Sequence, residues 1–180
     1  MIARADIAAR FSTFESLGDG FRFVDRILEI IDHIHLFEDF DHDEIAILAR
    51  YMRCFRIRRG LEIIHEGETG DFMLLVLEGR IEIVKVGANG LPARIALAGP
   101  GKTLGEMSVI DGEPRFASCI AEEEVTVAVI DRASLSRLIA DQPGIGVKLL
   151  MEMLMLLNQR LRTITNDLIR CRTEARLRIR

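Results

Sequence analysis

Two side chains of opposite charge, Glu106 and Arg115, lie nine positions apart in a segment rich in turn-forming residues. Gly105 and Glu106 precede one apolar turn, MSVI, whose first backbone N–H groups are predicted to be free, and such groups attract anions. Pro114 disfavours helix at Glu113, so Arg115 is expected to open the next strand. Folded back in this way, the loop directs one carboxylate and one guanidinium toward the same small volume.

This pair of groups suits a ligand that carries both a phosphodiester and a hydroxyl. A guanidinium fork complements the two outward oxygens of a phosphodiester. An ionised carboxylate accepts a hydrogen bond from a hydroxyl donor. A cyclic nucleotide offers both groups, through its cyclic phosphate and its ribose 2′-OH. The pair therefore predicts a cyclic-nucleotide site at which deoxy analogues bind poorly, because they would leave the carboxylate buried without a partner.

Three blocks of sequence resemble the cyclic-nucleotide-binding domain family, of the catabolite activator protein and protein kinase A regulatory subunit type. HLFEDFDHDEIAILARYM resembles its lead-in helix, EGETGDFMLLVLEGRIEIV its glycine-turned hairpins, and GEMSVIDGEPRFAS its phosphate-binding cassette. The resemblance runs from about residue 34 to residue 166. The order and spacing of the blocks imply a sensor of a cyclic nucleotide, with cAMP as the expected ligand.

The resemblance also implies roles for individual residues. Glu106 would accept the ribose 2′-OH, and Arg115 would pair with the phosphate. Gly105, Met107 and Ala117 would contribute backbone groups or close packing at the phosphate. Arg115→Ala is expected to weaken binding by about 2–5 kcal/mol, because it leaves a desolvated anion unpaired.

Phe116 departs from the family pattern, in which the position after the arginine is often Ser, Thr or Ala. A hydroxyl there can bond the phosphate, and a threonine is associated with guanine preference. Phe116 supplies neither, so a preference for cGMP is not expected. Its ring could also reshape or block the pocket. That leaves a second function open, a ligand-free structural dimerisation module with a degenerate pocket.

In relatives the long C-terminal helix closes over the purine. The stretch RLRTITNDL places Thr163, Thr165 and Asn166 where polar contacts with the base could arise. The alternative is that these three are simply exposed helix positions. Ligand is expected to order the cassette and to close the helix as a lid, by shifting an existing equilibrium.

The expected fold is α+β and mainly β: an antiparallel β-roll or jelly roll, flanked by N-terminal helices and a long C-terminal helix. Period-two patterns predict seven short strands between residues 52 and 130, and ten of the 14 glycines punctuate residues 60–112. Helices are predicted over residues 22–34 and from Asp41, where Glu44 completes a capping box. The predicted parts are an N-terminal extension (1–20), the β-roll with flanking helices (21–142), and a lid and dimerisation helix (143–180).

The long helix is predicted to begin at Pro143 and to carry a coiled-coil seam. Its apolar residues follow an unbroken 3-4 spacing, which is typical of helices that pair. The seam is expected to mediate a homodimer, and it comprises Val147, Leu150, Leu154, Leu157, Leu161, Ile164, Leu168, Cys171 and Ala175.

Charge and composition narrow the class of protein further. The net charge is −4, yet residues 160–180 carry seven arginines against Asp167 and Glu174. This basic tail reads as a solvated helix face or as a nucleic-acid contact. Sequence-specific DNA binding is not expected, because only about a dozen residues follow Asn166. The downstream protein partner is unknown.

Neither a signal peptide nor a membrane span is expected, and three cysteines without a paired motif fit the reducing cytoplasm. A phosphate-binding P-loop is excluded at Gly101-Lys102-Thr103, because position 96 is Ala96. His33 and His35 point apart on a helix, so no metal site is predicted. No catalytic residues, enzyme activity or cofactor are expected.

Overall fold

The computed structural model describes residues 11–31, 40–87 and 89–177 of the 180-residue chain. His33 and His35 lie outside the described residues. The nine strands in the described part are β1 Glu15–Asp19, β2 Arg53–Ile57, β3 Glu62–Ile64, β4 Phe72–Glu78, β5 Ile81–Val86, β6 Pro92–Ala98, β7 Thr103–Leu104, β8 Ser118–Ala121 and β9 Val125–Asp131. The helices are α1 Val24–Ile31, α2 His42–Ala49, α3 Glu106–Asp111, α4 Arg132–Asp141 and α5 Pro143–Leu177, and a 3-10 turn, Gly20–Phe23, precedes α1.

The strands form two antiparallel sheets, in the orders β1-β2-β9-β4-β7 and β3-β8-β5-β6. β4 is apolar and buried from Phe72 to Leu77, as expected of a strand that is covered on both faces. Phe72, Leu74 and Val76 point into the core between the sheets, whereas Met73 and Leu75 join a second core beneath the helices. The predicted antiparallel β-roll is confirmed.

The N-terminal boundary differs from the predicted extension over residues 1–20. β1 pairs with β2, and the Phe11 ring lies in the core against the rings of Phe55 and Phe72. Residues 11–19 therefore complete the five-stranded sheet and its core. The pattern missed β1 because Leu17 is its only large apolar residue and Gly18 interrupts its register.

The cassette leaves α3 through a loop. Arg115 does not open a strand, because β8 begins only at Ser118. Instead the Arg115 N–H donates to the Glu68 carbonyl at 2.8 Å, and its carbonyl accepts from the Gly67 N–H at 2.9 Å. These two bonds attach the cassette to the β3–β4 loop and orient the arginine toward the interior.

The predicted capping box and the predicted long helix are both present. Asp41 caps α2, and the backbone of Asp41 in turn binds the Glu44 side chain. α5 begins at Pro143, and its residues Ile145 and Leu149 pack into the core beneath the five-stranded sheet. Within the described part of the chain, no helix combines the length and apolar character that crossing a membrane requires.

The predicted seam follows a face of α5 that this core does not cover. Its exposed large apolar residues are Val147, Leu150, Leu154, Leu161, Ile164 and Leu168. From residue 161 to residue 174 every residue of α5 is exposed. The first half of the helix therefore packs on its own domain, and the second half extends beyond it.

Candidate functional site

Arg115 is buried, with 3% of its surface exposed. Its Nη1 donates to the Gly105 carbonyl at 2.9 Å and its Nη2 to the Phe72 carbonyl at 2.8 Å. The guanidinium also lies over the Phe72 ring, 4.4 Å from the centroid. A Cβ added at Gly70 would come within 2.2 Å of Arg115 Nε, so only glycine leaves room there. These contacts fix the orientation of the guanidinium.

Gly105 brings the other charged residue to the same place. Its backbone has φ +83°, the left-handed region that glycine adopts without strain, and this turn starts α3 at Glu106. Because Arg115 binds the carbonyl that precedes Glu106, the two predicted ligand residues converge. The two predicted site residues therefore lie close together, and the Arg115 guanidinium is near enough to Glu106 to act on the pKa of its carboxyl.

Glu106 is a buried carboxylate with only half of its acceptors used. Its side chain is 2% exposed, and its Oε1 pairs with Nη1 of Arg160 from α5. Arg160 Nη2 also donates to the Thr103 carbonyl at 2.6 Å. Among the described residues, Glu106 Oε2 has no hydrogen-bond partner. A buried acceptor in this state is costly and rare in folded proteins, which indicates a place for an incoming donor.

Burial dominates the electrostatics of Glu106. Desolvation raises the pKa of its carboxyl above the ordinary value. The guanidinium of Arg160, the residue's own N–H and the guanidinium of Arg115 oppose that rise. Two cations and a backbone N–H thus offset part of the cost of burying this carboxylate.

Phe116 does not fill the space between Glu106 and Arg115. Its ring is 56% exposed and faces Lys85, whose Nζ lies 4.5 Å from the ring centroid. Lys85 also donates to the Phe116 carbonyl and to Glu66 Oε1, each at 2.6 Å. Phe116 therefore lies outside the buried pair of Glu106 and Arg115, and its ring contacts the Lys85 ammonium.

The remaining predicted site residues divide by position. Ala117 is buried at the exit of the cassette, whereas the side chain of Met107 on α3 is exposed. Thr163, Thr165 and Asn166 lie in the exposed half of α5. The Thr163 and Thr165 hydroxyls donate to carbonyls of their own helix. In the described residues, none of these three is brought to the cassette.

Arg160 was not predicted as a site residue, because its position in the sequence placed it in the basic tail. Its position could have indicated this role, because it lies three residues after Leu157, on the turn where α5 leaves the domain and passes the cassette. Phe72 was also missed, since it reads simply as an apolar strand residue, yet both its carbonyl and its ring contact Arg115.

The described residues contain no group of three or more His, Cys, Asp or Glu side chains that could hold a metal ion. The buried thiols of Cys54 and Cys119 have their pKa raised by desolvation to about 12 in each case, so neither is a ready nucleophile.

Comparisons with known proteins agree with this geometry. The sequence model of the family described as "Cyclic nucleotide-binding domain" matches residues 54–142. A crystal structure of a cyclic nucleotide-binding domain from Methylobacillus flagellatus KT is 36% identical, with a TM-score of 0.82 and coverage of 92% of each chain. The regulatory domain of Toxoplasma gondii PKA, crystallised with cAMP, is 27% identical with a TM-score of 0.60, over 74% of this chain and 50% of that one.

A curated relative from Mycobacterium tuberculosis, a CRP-like cAMP-activated global transcriptional regulator, is 31% identical over 140 residues. The match covers 78% of this chain but only 61% of the length of that relative. The family is one of ligand-binding regulatory domains, which confirms the prediction of a binding module rather than an enzyme. With its β-roll, its glycine-started cassette and its convergent Glu106 and Arg115, this chain belongs to the cyclic nucleotide-binding domain family.

Proposed function

We propose that this chain is a regulatory module that binds cAMP between Glu106 and Arg115. One observation carries the proposal: the buried carboxylate of Glu106 has one oxygen paired with Arg160 and a second oxygen, Oε2, without a partner among the described residues. A ribose 2′-OH supplies the donor that this oxygen lacks. Arg115, preoriented by two carbonyls and a ring, supplies the fork for the cyclic phosphate.

Ligand entry requires a movement, because Glu106 and Arg115 are almost fully buried in this structure. Arg160 links α5 to Glu106, so the helix lies against the cassette. We therefore propose that cAMP changes an existing contact between helix and cassette, instead of closing a distant lid. The ligand then shifts the position of α5 by its differential affinity for the two arrangements.

Titration calorimetry tests this proposal, with cAMP, cGMP and 2′-deoxy-cAMP added to the wild type and to Arg115→Ala. We expect cAMP to bind most tightly, and Arg115→Ala to lose about 2–5 kcal/mol of binding free energy. Arg58→Ala is the matched control. Because Arg58 is exposed, this variant should bind cAMP with the affinity of the wild type. If the wild type shows neither heat nor thermal stabilisation with any cyclic nucleotide, the degenerate dimerisation module is the better description.

We also propose that the protein self-associates through the seam of α5. The second half of that helix exposes large apolar side chains along one face, including Leu161, Ile164 and Leu168. A second copy of the same helix would cover them by knobs-into-holes packing. Leu161→Glu should shift sedimentation toward the monomer, whereas Gln159→Glu, at an exposed position off the seam, should not.

The proposed switch needs no cofactor, because the ligand is its input and the position of α5 is its output. We propose the cytoplasm as the place of action. The three cysteines are free thiols, of which Cys171 is exposed, and this fits a reducing compartment.

A further inference from the structure

A second arginine, Arg132, holds the far end of the cassette helix. Its Nη2 donates to the Ser108 carbonyl at 2.7 Å. The same carbonyl accepts from the N–H of Gly112, which ends α3 in the left-handed region at φ +77°. The Arg132 guanidinium lies within 3.7 Å of where a Gly112 Cβ would stand, so it packs directly on the end of the helix.

Two arginines hold the two ends of α3, and both also bind the chain where β4 begins. Arg115 binds the Gly105 carbonyl at the start of α3, and Arg132 binds the Ser108 carbonyl near its end. The backbone carbonyl of Asp71 accepts a hydrogen bond from the Arg132 backbone N–H at 2.7 Å. The carbonyl of its neighbour Phe72 accepts one from the Arg115 side chain. A helix of six residues has little stability of its own, so such anchors decide where it lies.

We propose that Arg132 is a positioning residue: it fixes α3 so that the free oxygen of Glu106 meets the ribose hydroxyl. The inference rests on the proposed function, because it assumes a ribose at that oxygen. The Arg132 guanidinium also complements the carbonyl end of α3. Arg132 is the first residue of α4, and α4 contacts α5 where Gly146 meets Ile139. The arginine therefore connects the cassette to the helix that packs against α5.

Calorimetry with cAMP and 2′-deoxy-cAMP tests this role on Arg132→Gln and Arg132→Lys. The matched control is Arg137→Gln on the same helix, because Arg137 Nη2 donates to the Ser134 hydroxyl within that helix. We expect Arg132→Gln to weaken cAMP binding about tenfold and deoxy binding clearly less, because a displaced Glu106 loses the hydroxyl contact. Lysine retains a donor and should restore most of the discrimination. Equal losses for both ligands, or no loss, would overturn the assignment.

Hydrogen exchange without ligand separates this inference from the proposed function. Amides of residues 106–113 should exchange faster in Arg132→Gln than in wild type or Arg137→Gln, while β4 keeps its protection. If the wild type binds no cyclic nucleotide, the proposed function fails, and unchanged exchange in the cassette would then refute Arg132 as its anchor. Should the glutamine variant not fold, Arg132→Met, with an unbranched side chain, takes its place in both measurements.

Discussion

Two glutamate–cation pairs flank the cassette, and they behave in opposite ways. Glu106 pairs with Arg160 at the entrance, and Glu66 pairs with Lys85 at the exit beside Phe116. Burial raises the pKa of Glu106, whereas the hydrogen bond from Lys85 and that from the Val86 N–H lower the pKa of Glu66. A glutamate–cation pair is thus unfavourably desolvated in one place, and partly exposed and fully hydrogen-bonded in the other.

The difference lies in how completely each carboxylate is satisfied. Glu66 uses both oxygens, one for Lys85 at 2.6 Å and one for the Val86 N–H at 2.9 Å. Glu106 uses one oxygen for Arg160 and leaves the other buried without a partner among the described residues. The saturated pair fixes a loop, whereas in the proposed function the free oxygen of the unsaturated pair accepts the ribose hydroxyl. Three experiments address this contrast.

The largest effect should come from exchanging the two carboxylates for amides. Glu106→Gln should weaken cAMP binding about tenfold to a hundredfold, because it removes a charged hydrogen bond to the ribose. Glu66→Gln should change affinity by no more than about twofold, because Glu66 binds the chain itself. Calorimetry on both variants measures the difference. Comparable losses would erase the functional distinction between the pairs.

A smaller effect is expected at Arg160. Arg160→Gln should weaken cAMP binding about threefold to tenfold near neutral pH, because Glu106 loses the cation that favours its charged form. Removing that cation raises the pKa of Glu106 further, so affinity in the variant should recover as pH rises. Arg162→Gln, at an exposed position two residues along, is the control. A variant whose affinity ignores pH would show that Arg160 does not act through Glu106.

The smallest effect concerns stability against pH. The pKa of Glu106 is raised on folding, so its contribution to the free energy of unfolding is greatest below the ordinary value of 4.5 and is lost as pH rises through the raised value. The pKa of Glu66 is lowered, so its contribution is present above 4.5 and is lost as pH falls through the lowered value.

Urea denaturation of wild type, Glu106→Gln and Glu66→Gln across this pH range measures how much each glutamate contributes to the free energy of unfolding. The wild-type advantage over Glu106→Gln should shrink as pH rises, and the advantage over Glu66→Gln should grow. Slopes of the same sign would mean that burial does not separate the two carboxylates.

Local patterns were enough to predict most strands, the capping box at Asp41, the start of α5 at Pro143 and the meeting of Glu106 with Arg115. Each depends on residues close in sequence: period-two alternation, a cap three residues before its partner, or two charged residues nine positions apart. The same locality explains why β1 was missed, since its pairing with β2 joins residues about 40 positions apart and its sequence has little apolar alternation.

By itself, therefore, the sequence determined the β-roll, the family and the closeness of Glu106 and Arg115. Only the tertiary structure decided what surrounds those groups: Arg160 arriving 54 residues after Glu106, Phe72 beneath Arg115, and Phe116 turned outward to Lys85. These contacts depend on the path of α5 and the stacking of two sheets. No short-range spacing encodes them, because distant segments meet only when the core brings them together.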